Sequence, residues 1–316
     1  MLSRQPALRP RVDSSPFEIK YQGCGRYGAS LLDSRGGCPH IVPPQMKGTS
    51  LEKMPVLFVG HGSPMNAIEQ NAFTESLRGL SARLPRPKAV CVVSAHWMTA
   101  GAHVMTSAHP ETIHDFYGFP RELYEVEYPA PGAPEVAEKV AESSEIEKDE
   151  KWGLDHGAWS VLRHMYPKAD VPAFQVSLDE RRSFREHLEL GRDLAALRER
   201  GVLILGSGNI VHNLRRIDWE SPHGAYDWAV EFDAKVKAAV DAHDACALAD
   251  PQKWGESLMR TAHPTAEHYL PLLYCVGSTD EKDAVTYPYQ GFDFGSISMR
   301  AVLFGMSPEP SVAKTL

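Results

Sequence analysis

Ala89-Val90-Cys91-Val92-Val93-Ser94-Ala95 is a short, nearly continuous apolar run that ends on His96 and Trp97. It lacks the in–out alternation of a half-exposed strand, so it predicts a strand buried on both faces. Strands of that kind belong to parallel or mixed sheets covered by helices. The same pattern recurs on either side. Pro55–Val59 runs into Gly-His-Gly, Val171–Leu178 is a third apolar segment, and Val202–Leu205 opens into GSGN. Helical spacing fills the intervals. Asn71–Leu84 places Phe73, Leu77 and Leu80 on one face and is stopped by Pro85 and Pro87. Ala133–Ser143 carries Pro134 in its first turn, Ala158–Tyr166 follows, and Phe184–Arg200 uses Leu188, Leu194 and Leu197 before Gly201 closes it. Ala225–His243 aligns Trp228, Phe232, Val236 and Val240, and Glu267–Val276 is helical near its start. Ala284–Phe304 reads as extended segments broken by Gly291 and Gly295. The expected fold is one α/β domain over residues 54–306, with a central mostly parallel or mixed sheet and helices on both faces. Residues 1–53 carry scattered Arg, Pro, Ser and Gly and read as a poorly ordered extension, with Met46 or Met54 as an alternative start. Residues 307–316 read as a C-terminal tail.

Bulk properties narrow the function. The 316 residues are 43% apolar, enough for a sizeable core, and the net charge of −8 favours neither nucleic acid nor an anionic membrane. No stretch approaches the roughly 18 apolar residues of a spanning helix. The five cysteines form no C-x-x-C pair. Cys91 and Cys275 lie inside apolar runs and read as core residues, so a cytoplasmic protein is expected.

Histidines carry the chemistry. His61 in GHGSP, His96 in SAHW, His212 in GSGNIVHNL and His268 in EHYLP each sit in a stiff motif, three of them just beyond a strand. In open α/β sheets, ligands bind beyond the carboxyl ends of the strands, so these segments point to one rim. Neutral imidazole is the commonest ligand of a catalytic metal, and three or four such rings would make an open mononuclear site. Competing readings are weaker. Pro64 after Ser63 breaks the G-x-S-x-G elbow of a serine hydrolase. Gly206-Ser207-Gly208 lacks the rest of a dinucleotide fingerprint, and its glycines suit close backbone approach instead. WGLDHGAW adds Asp155 beside His156, an acid–base or supporting pair. IHDFYGFP adds His114, Asp115 and Tyr117 in an aromatic loop suited to the wall of a pocket for a flat substrate, with Trp97 as a further wall. His109, His187, His223, His243 and His263 lie in polar or turn-like surroundings and are expected at the surface.

Taken in order, GHGSPMN, LPRPKAVCVVSAHW, TIHDFYGFP, YPAPG, WGLDHGAW, GNIVHNL and EHYLPLLY resemble the 4,5-DOPA extradiol dioxygenases, within the class III, LigB-like ring-cleavage enzymes. The resemblance covers residues 54–304. It implies a LigB-like domain with a metal bound through His61, His96, His212 and His268. It also implies Fe(II) for activity, with Zn(II) in purified protein. The wider class uses two histidines and a glutamate, so Glu267 stands as the alternative third ligand to its neighbour His268; on a helix the two point about 100° apart. His212 and His156 are the expected acid–base residues, and His114, Asp115, Trp97 and Tyr117 the expected substrate contacts. The implied reaction inserts O2 into a catechol, L-DOPA first among them, to give a muconate semialdehyde. The partners would be the catechol and O2, with no nucleic acid or membrane, in a monomer or small homo-oligomer. A zinc-dependent hydrolase and a non-catalytic protein binding metal or an aromatic acid are the alternatives.

Overall fold

In the computed structural model, residues 53–144 and 146–307 are described. The expected N-terminal extension and C-terminal tail lie outside these residues, except for their innermost positions. The strands are β1 (Val56–Gly60), β2 (Ala89–Thr99), β3 (His103–Met105), β4 (Glu147–Asp149), β5 (Ala173–Asp179), β6 (Val202–Gly208), β7 (Val285–Tyr289), β8 (Phe292–Asp293), β9 (Ile297–Ser298) and β10 (Ala301–Phe304). Eight of them form one mixed sheet in the order β4-β3-β5-β2-β6-β1-β10-β7. Its centre, β5-β2-β6-β1, is parallel; β10 and β7 extend it antiparallel on one side, and β3 pairs antiparallel with β5 on the other. The four central strands are buried along almost their whole length, as the uninterrupted apolar runs require.

The helices are α1 (Ala72–Arg83), α2 (Arg121–Tyr124), α3 (Pro134–Ser144), α4 (His156–Met165), α5 (Phe184–Leu194), α6 (Asp227–Asp241), α7 (Ala245–Leu248), α8 (Glu256–Ala262) and α9 (Leu270–Gly277). α4 packs on β2 and β6 and carries α1 against it, while α9 packs on β6, β1 and β2 and carries α5. Sequence signals explain the ends. Asn71 and Thr74 close a capping box at the start of α1, and Ser183 with Glu186 closes another at α5.

Strand register places the functional rim. Ser207 of β6 pairs with Val59 of β1 on one side and with Ser94 of β2 on the other. His61 and His96 each follow those partners by two residues, so they emerge side by side. Asn209 N–H then donates to the His268 carbonyl at 2.8 Å, which ties the turn before α9 to the same strand end. Gly208 permits this approach, since a Cβ there would lie 2.2 Å from that carbonyl oxygen.

Several expectations need correction. β2 continues through His96 to Thr99, and its pairing with β5 shifts register between Val93 and Met98. The Phe184–Arg200 helix ends at Leu194 and tightens into a 3-10 turn over Ala195–Arg200, capped by left-handed Gly201. Glu267 and His268 lie in the turn before α9, not on a helix. His187 and His263 are buried rather than solvated. His187 Nδ1 sits 3.1 Å from the Tyr274 hydroxyl, and His263 Nε2 lies 2.7 Å from the Ile210 carbonyl. Periodicity around a single histidine does not reveal a polar partner supplied by a distant element. The free thiols of Cys91 and Cys275 are buried in the core, as expected. Among the described residues no helix is long and apolar enough to cross a membrane.

Candidate metal centre

His61, His96 and His268 converge so that one ligand atom from each lies within 4.8 Å of the others. The three rings come from the β1 loop, the end of β2 and the turn before α9. In each case another group occupies Nδ1. His61 Nδ1 is 2.9 Å from Ser207 Oγ, whose own proton goes to the Gly157 carbonyl at 2.6 Å. Ser207 has one proton to give, so it accepts from His61, and the ring must be the Nδ1–H tautomer. His96 Nδ1 lies 3.2 Å from the Asp115 carboxylate, and His268 Nδ1 bonds Glu267 Oε1 at 3.1 Å. Supporting groups on Nδ1 are the usual way to fix which imidazole nitrogen faces a metal. All three Nε2 atoms are thereby left for the centre.

The Nε2 atoms of His61 and His96 stand 3.1 Å apart. With both protons on Nδ1, two lone pairs face each other at contact distance. That arrangement calls for a shared cation between them, a proton or a metal ion. The titration tendencies agree. Burial, with His96 and His268 nearby, holds His61 well below the ordinary range, and burial with His212 nearby does the same to His268. Burial opposes protonation of His96 too, but Asp115 beside it overcomes this and raises it. The site is not sealed: the His96 side chain is 19% exposed, Asp115 20% and Glu267 21%.

His212 does not join this triad. Its ring stacks on His268 with centroids 3.5 Å apart and planes 10° from parallel. Imidazole lone pairs lie in the ring plane, and metal–nitrogen bonds are about 2.0–2.1 Å. The stacked ring of His212 thus lies beside the cluster of His61, His96 and His268, which would hold the ion through their in-plane nitrogens. His212 also approaches Glu267 and His268 as a second cluster. Burial, with His263 nearby, lowers His212 to about 3, leaving a neutral ring. Glu267 and His268 do not lie on two faces of a helix: the carboxylate folds back on its neighbour's Nδ1 and accepts from the Thr265 hydroxyl at 2.9 Å.

The remaining expected residues divide. His156 opens α4, with its ring 3.9 Å from that of His96 and 5.6 Å from that of His61. Burial and then His96 lower it, with Asp115 acting in the opposite sense. Asp155 caps α4, accepting from Ala158 N–H and from Ser94 Oγ at 2.7 Å. Gly157 is the tight point, since a Cβ there would meet Ser94 Oγ at 2.5 Å and His96 Cδ2 at 2.9 Å. Asp115 reaches both His96 and His156. His114 instead bonds the Val126 carbonyl at 2.9 Å and packs on Trp159, Phe116 and Tyr124. Trp97 is buried and stacked on Trp152, with no ring contact to the imidazoles, and Tyr117 is 92% exposed. Phe116 meets His156 edge-on at 5.5 Å, which makes it the aromatic of this loop nearest the centre by ring contact. Ser207 was not singled out by its motif. The available signal was a serine ending each of two apolar runs, CVVS and ILGS, which the register then pairs.

A parallel-centred sheet with clustered imidazoles at its carboxyl rim, partly open to solvent, defines a metal-dependent α/β enzyme class. The chain belongs to the LigB family: residues 55–297 match the model for the catalytic LigB subunit of aromatic ring-opening dioxygenase. It is an extradiol ring-cleaving dioxygenase acting on a small aromatic substrate with O2. It is 45% identical over 267 residues to a 4,5-DOPA dioxygenase extradiol of Escherichia coli K12, covering 81% of this chain and 96% of that one. It is 34% identical to a protein of the same description from Beta vulgaris, covering 78% and 95%. The crystal structure of an uncharacterized Escherichia coli K12 protein superposes with a TM-score of 0.70 at 40% identity, over 80% of this chain and all of that one.

Proposed function

We propose that the enzyme cleaves L-DOPA at the 4,5 bond, at a ferrous centre held by Nε2 of His61, His96 and His268. The observation that carries the metal assignment is the pair of imidazole lone pairs 3.1 Å apart, one of them fixed by Ser207. Three neutral nitrogen donors with no thiolate suit Fe(II) or Zn(II), and protein purified without iron would hold zinc. When bound, Fe(II) supplies Lewis acidity toward the catechol oxygens and joins them electronically to O2.

The chain's own groups bind the substrate and handle its protons. His156 lies beside His96 and His61 with a carboxylate next to its Nδ1, which supports the role of an oriented general base. It takes a hydroxyl proton as the catechol binds. His212, neutral and stacked on His268, is placed to hydrogen-bond substrate or O2 without competing for the ion. Phe116 and the rest of the aromatic loop flank the ring and exclude water, with Tyr117 at the loop tip and Trp97 behind as packing. Both oxygen atoms of O2 end in the product, a ring-opened semialdehyde. L-DOPA is preferred because the relatives from Escherichia coli and Beta vulgaris bear that substrate in their names.

The test is anaerobic reconstitution with Fe(II), addition of L-DOPA, dopamine or caffeate, and admission of air. Stoichiometric O2 uptake with a yellow product, fastest for L-DOPA, is expected. Faster turnover of another catechol would overturn the substrate. No uptake with Fe(II), together with ester or amide hydrolysis by the zinc form, would overturn the chemistry.

A further inference from the structure

We propose that Asp115 is a positioning residue shared by two imidazoles: from the aromatic loop it holds both His96 and His156 with Nε2 toward the centre. This rests on the ferrous-centre reading, in which His96 is a ligand and His156 the base.

The geometry is specific. Asp115 Oδ1 accepts from the His156 backbone N–H at 2.9 Å. Its Oδ2 lies 2.9 Å from His156 Nδ1 and 3.2 Å from His96 Nδ1. The His156 side-chain contact is short but falls outside hydrogen-bond geometry, so it acts as attraction between the carboxylate and the Nδ1–H dipole. An ionised carboxylate only accepts, so both facing nitrogens carry protons and both rings present bare Nε2.

The loop that delivers Asp115 is pinned at its base. Ile113 N–H donates to the Leu154 carbonyl at 2.7 Å, Trp159 Nε1 donates to the Ile113 carbonyl at 2.9 Å, and His114 spans to the Val126 carbonyl. One residue past these staples is the carboxylate, and the next is Phe116 against His156. The wall of the substrate pocket and the orientation of two active imidazoles therefore belong to one short segment.

An amide cannot replace this group. The side chain introduced by Asp115→Asn would offer one acceptor and one donor in nearly the same shape. With its oxygen toward the rings, its NH2 meets the His156 N–H. With its NH2 toward the rings, both must move their protons to Nε2 and turn away from the ion.

The test compares wild type, Asp115→Asn and Asp115→Glu by zinc competition against a chelator, and reads histidine tautomers by nitrogen NMR in the zinc-loaded wild type. Asp115→Asn should bind zinc about 10–100-fold more weakly, the usual cost of removing a supporting group. Asp115→Glu, which keeps two acceptor oxygens, should recover part of that loss. Zinc-loaded wild type should show an Nδ1-protonated His156. Wild-type zinc affinity in Asp115→Asn, or an Nε2-protonated His156, would overturn the proposal. The tautomer reading needs no variant, so it decides even if Asp115→Asn does not fold. Zinc retained by His96→Ala would instead remove the metal reading itself.

Discussion

Replacing Ser207 by Ala should uncouple His61 from the sheet. Ser207 is fully buried, and its hydroxyl serves two partners: it accepts from His61 Nδ1–H at 2.9 Å and donates to the Gly157 carbonyl at 2.6 Å. Alanine removes both bonds. The Gly157 carbonyl lies inside α4 and keeps its helical partner, so His61 Nδ1–H is the group left without an acceptor. That orphan costs about 1–3 kcal/mol. For a domain of this size each kcal/mol lowers Tm by roughly 2–4 °C. A second effect is independent of folding. Without its acceptor, His61 is free to carry its proton on Nε2, which closes that nitrogen to the ion. Metal affinity should fall about 10–100-fold, equivalent to roughly 1.4–2.7 kcal/mol. The assay is zinc competition against a chelator, beside thermal melts of the metal-free and zinc-loaded forms. Ser94→Ala is the matched control. Ser94 pairs with Ser207 across the strands but bonds Asp155 and the His96 backbone N–H, not an imidazole ring, so its loss should cost stability without fixing a different tautomer and with a smaller loss of zinc. A Ser207→Ala protein with wild-type zinc affinity would refute the tautomer argument, however much its Tm fell.

Alanine at His61, His96 or His268 should abolish zinc binding. Alanine at His212 or His156 should keep zinc while lowering turnover about 10²–10⁴-fold, the usual scale for an acid–base group. Zinc loss in His212→Ala would show that the stacked ring is a ligand after all. Gly157→Ala should drive a methyl into Ser94 and His96, costing about 1–3 kcal/mol and displacing a ligand, read as a lower Tm together with weakened zinc binding. Acid should destabilise the metal-free protein through His187 and His263. Burial lowers both to about 4, against about 6.5 when unfolded. The unfolded chain then binds more protons between those values, so this stability is complete above about pH 6.5 and is lost as pH falls toward about 4, up to about 3 kcal/mol for each ring. Urea midpoints across that range should fall, and His187→Leu should flatten the slope; an unchanged slope would exclude His187.

Much of the fold was readable because the central strands are buried on both faces and their sequences show it as unbroken apolar runs. Pro85, Pro87 and Gly201 marked real boundaries for the same local reason, since backbone geometry leaves few options there. The position of the site was also legible: His61 and His96 each lie two residues past the positions that pair with Ser207, and parallel register brings such positions together. What was not legible depended on contacts between distant segments. Nothing near GSGN announces that Ser207 will hold His61. The Glu267-His268 pair looked like a choice between two faces of a helix, but the approach of Asn209 and the start of α9 at Leu270 put them in a turn, where Glu267 bonds His268 Nδ1. His212 lies five residues past Ser207, whereas His61 and His96 lie two past its register partners, and its ring stacks on His268 instead. The buried His187 and His263 were missed because their partners, the Tyr274 hydroxyl and the Ile210 carbonyl, lie far along the chain.

Anomalous diffraction from a zinc-loaded crystal would locate the ion itself. One ion per chain is expected, about 2.0–2.1 Å from Nε2 of His61, His96 and His268, with its remaining positions open to water or catechol and the His212 ring out of bonding range. A fourth bond to His212, or an ion held by any other set of residues, would contradict the three-histidine centre.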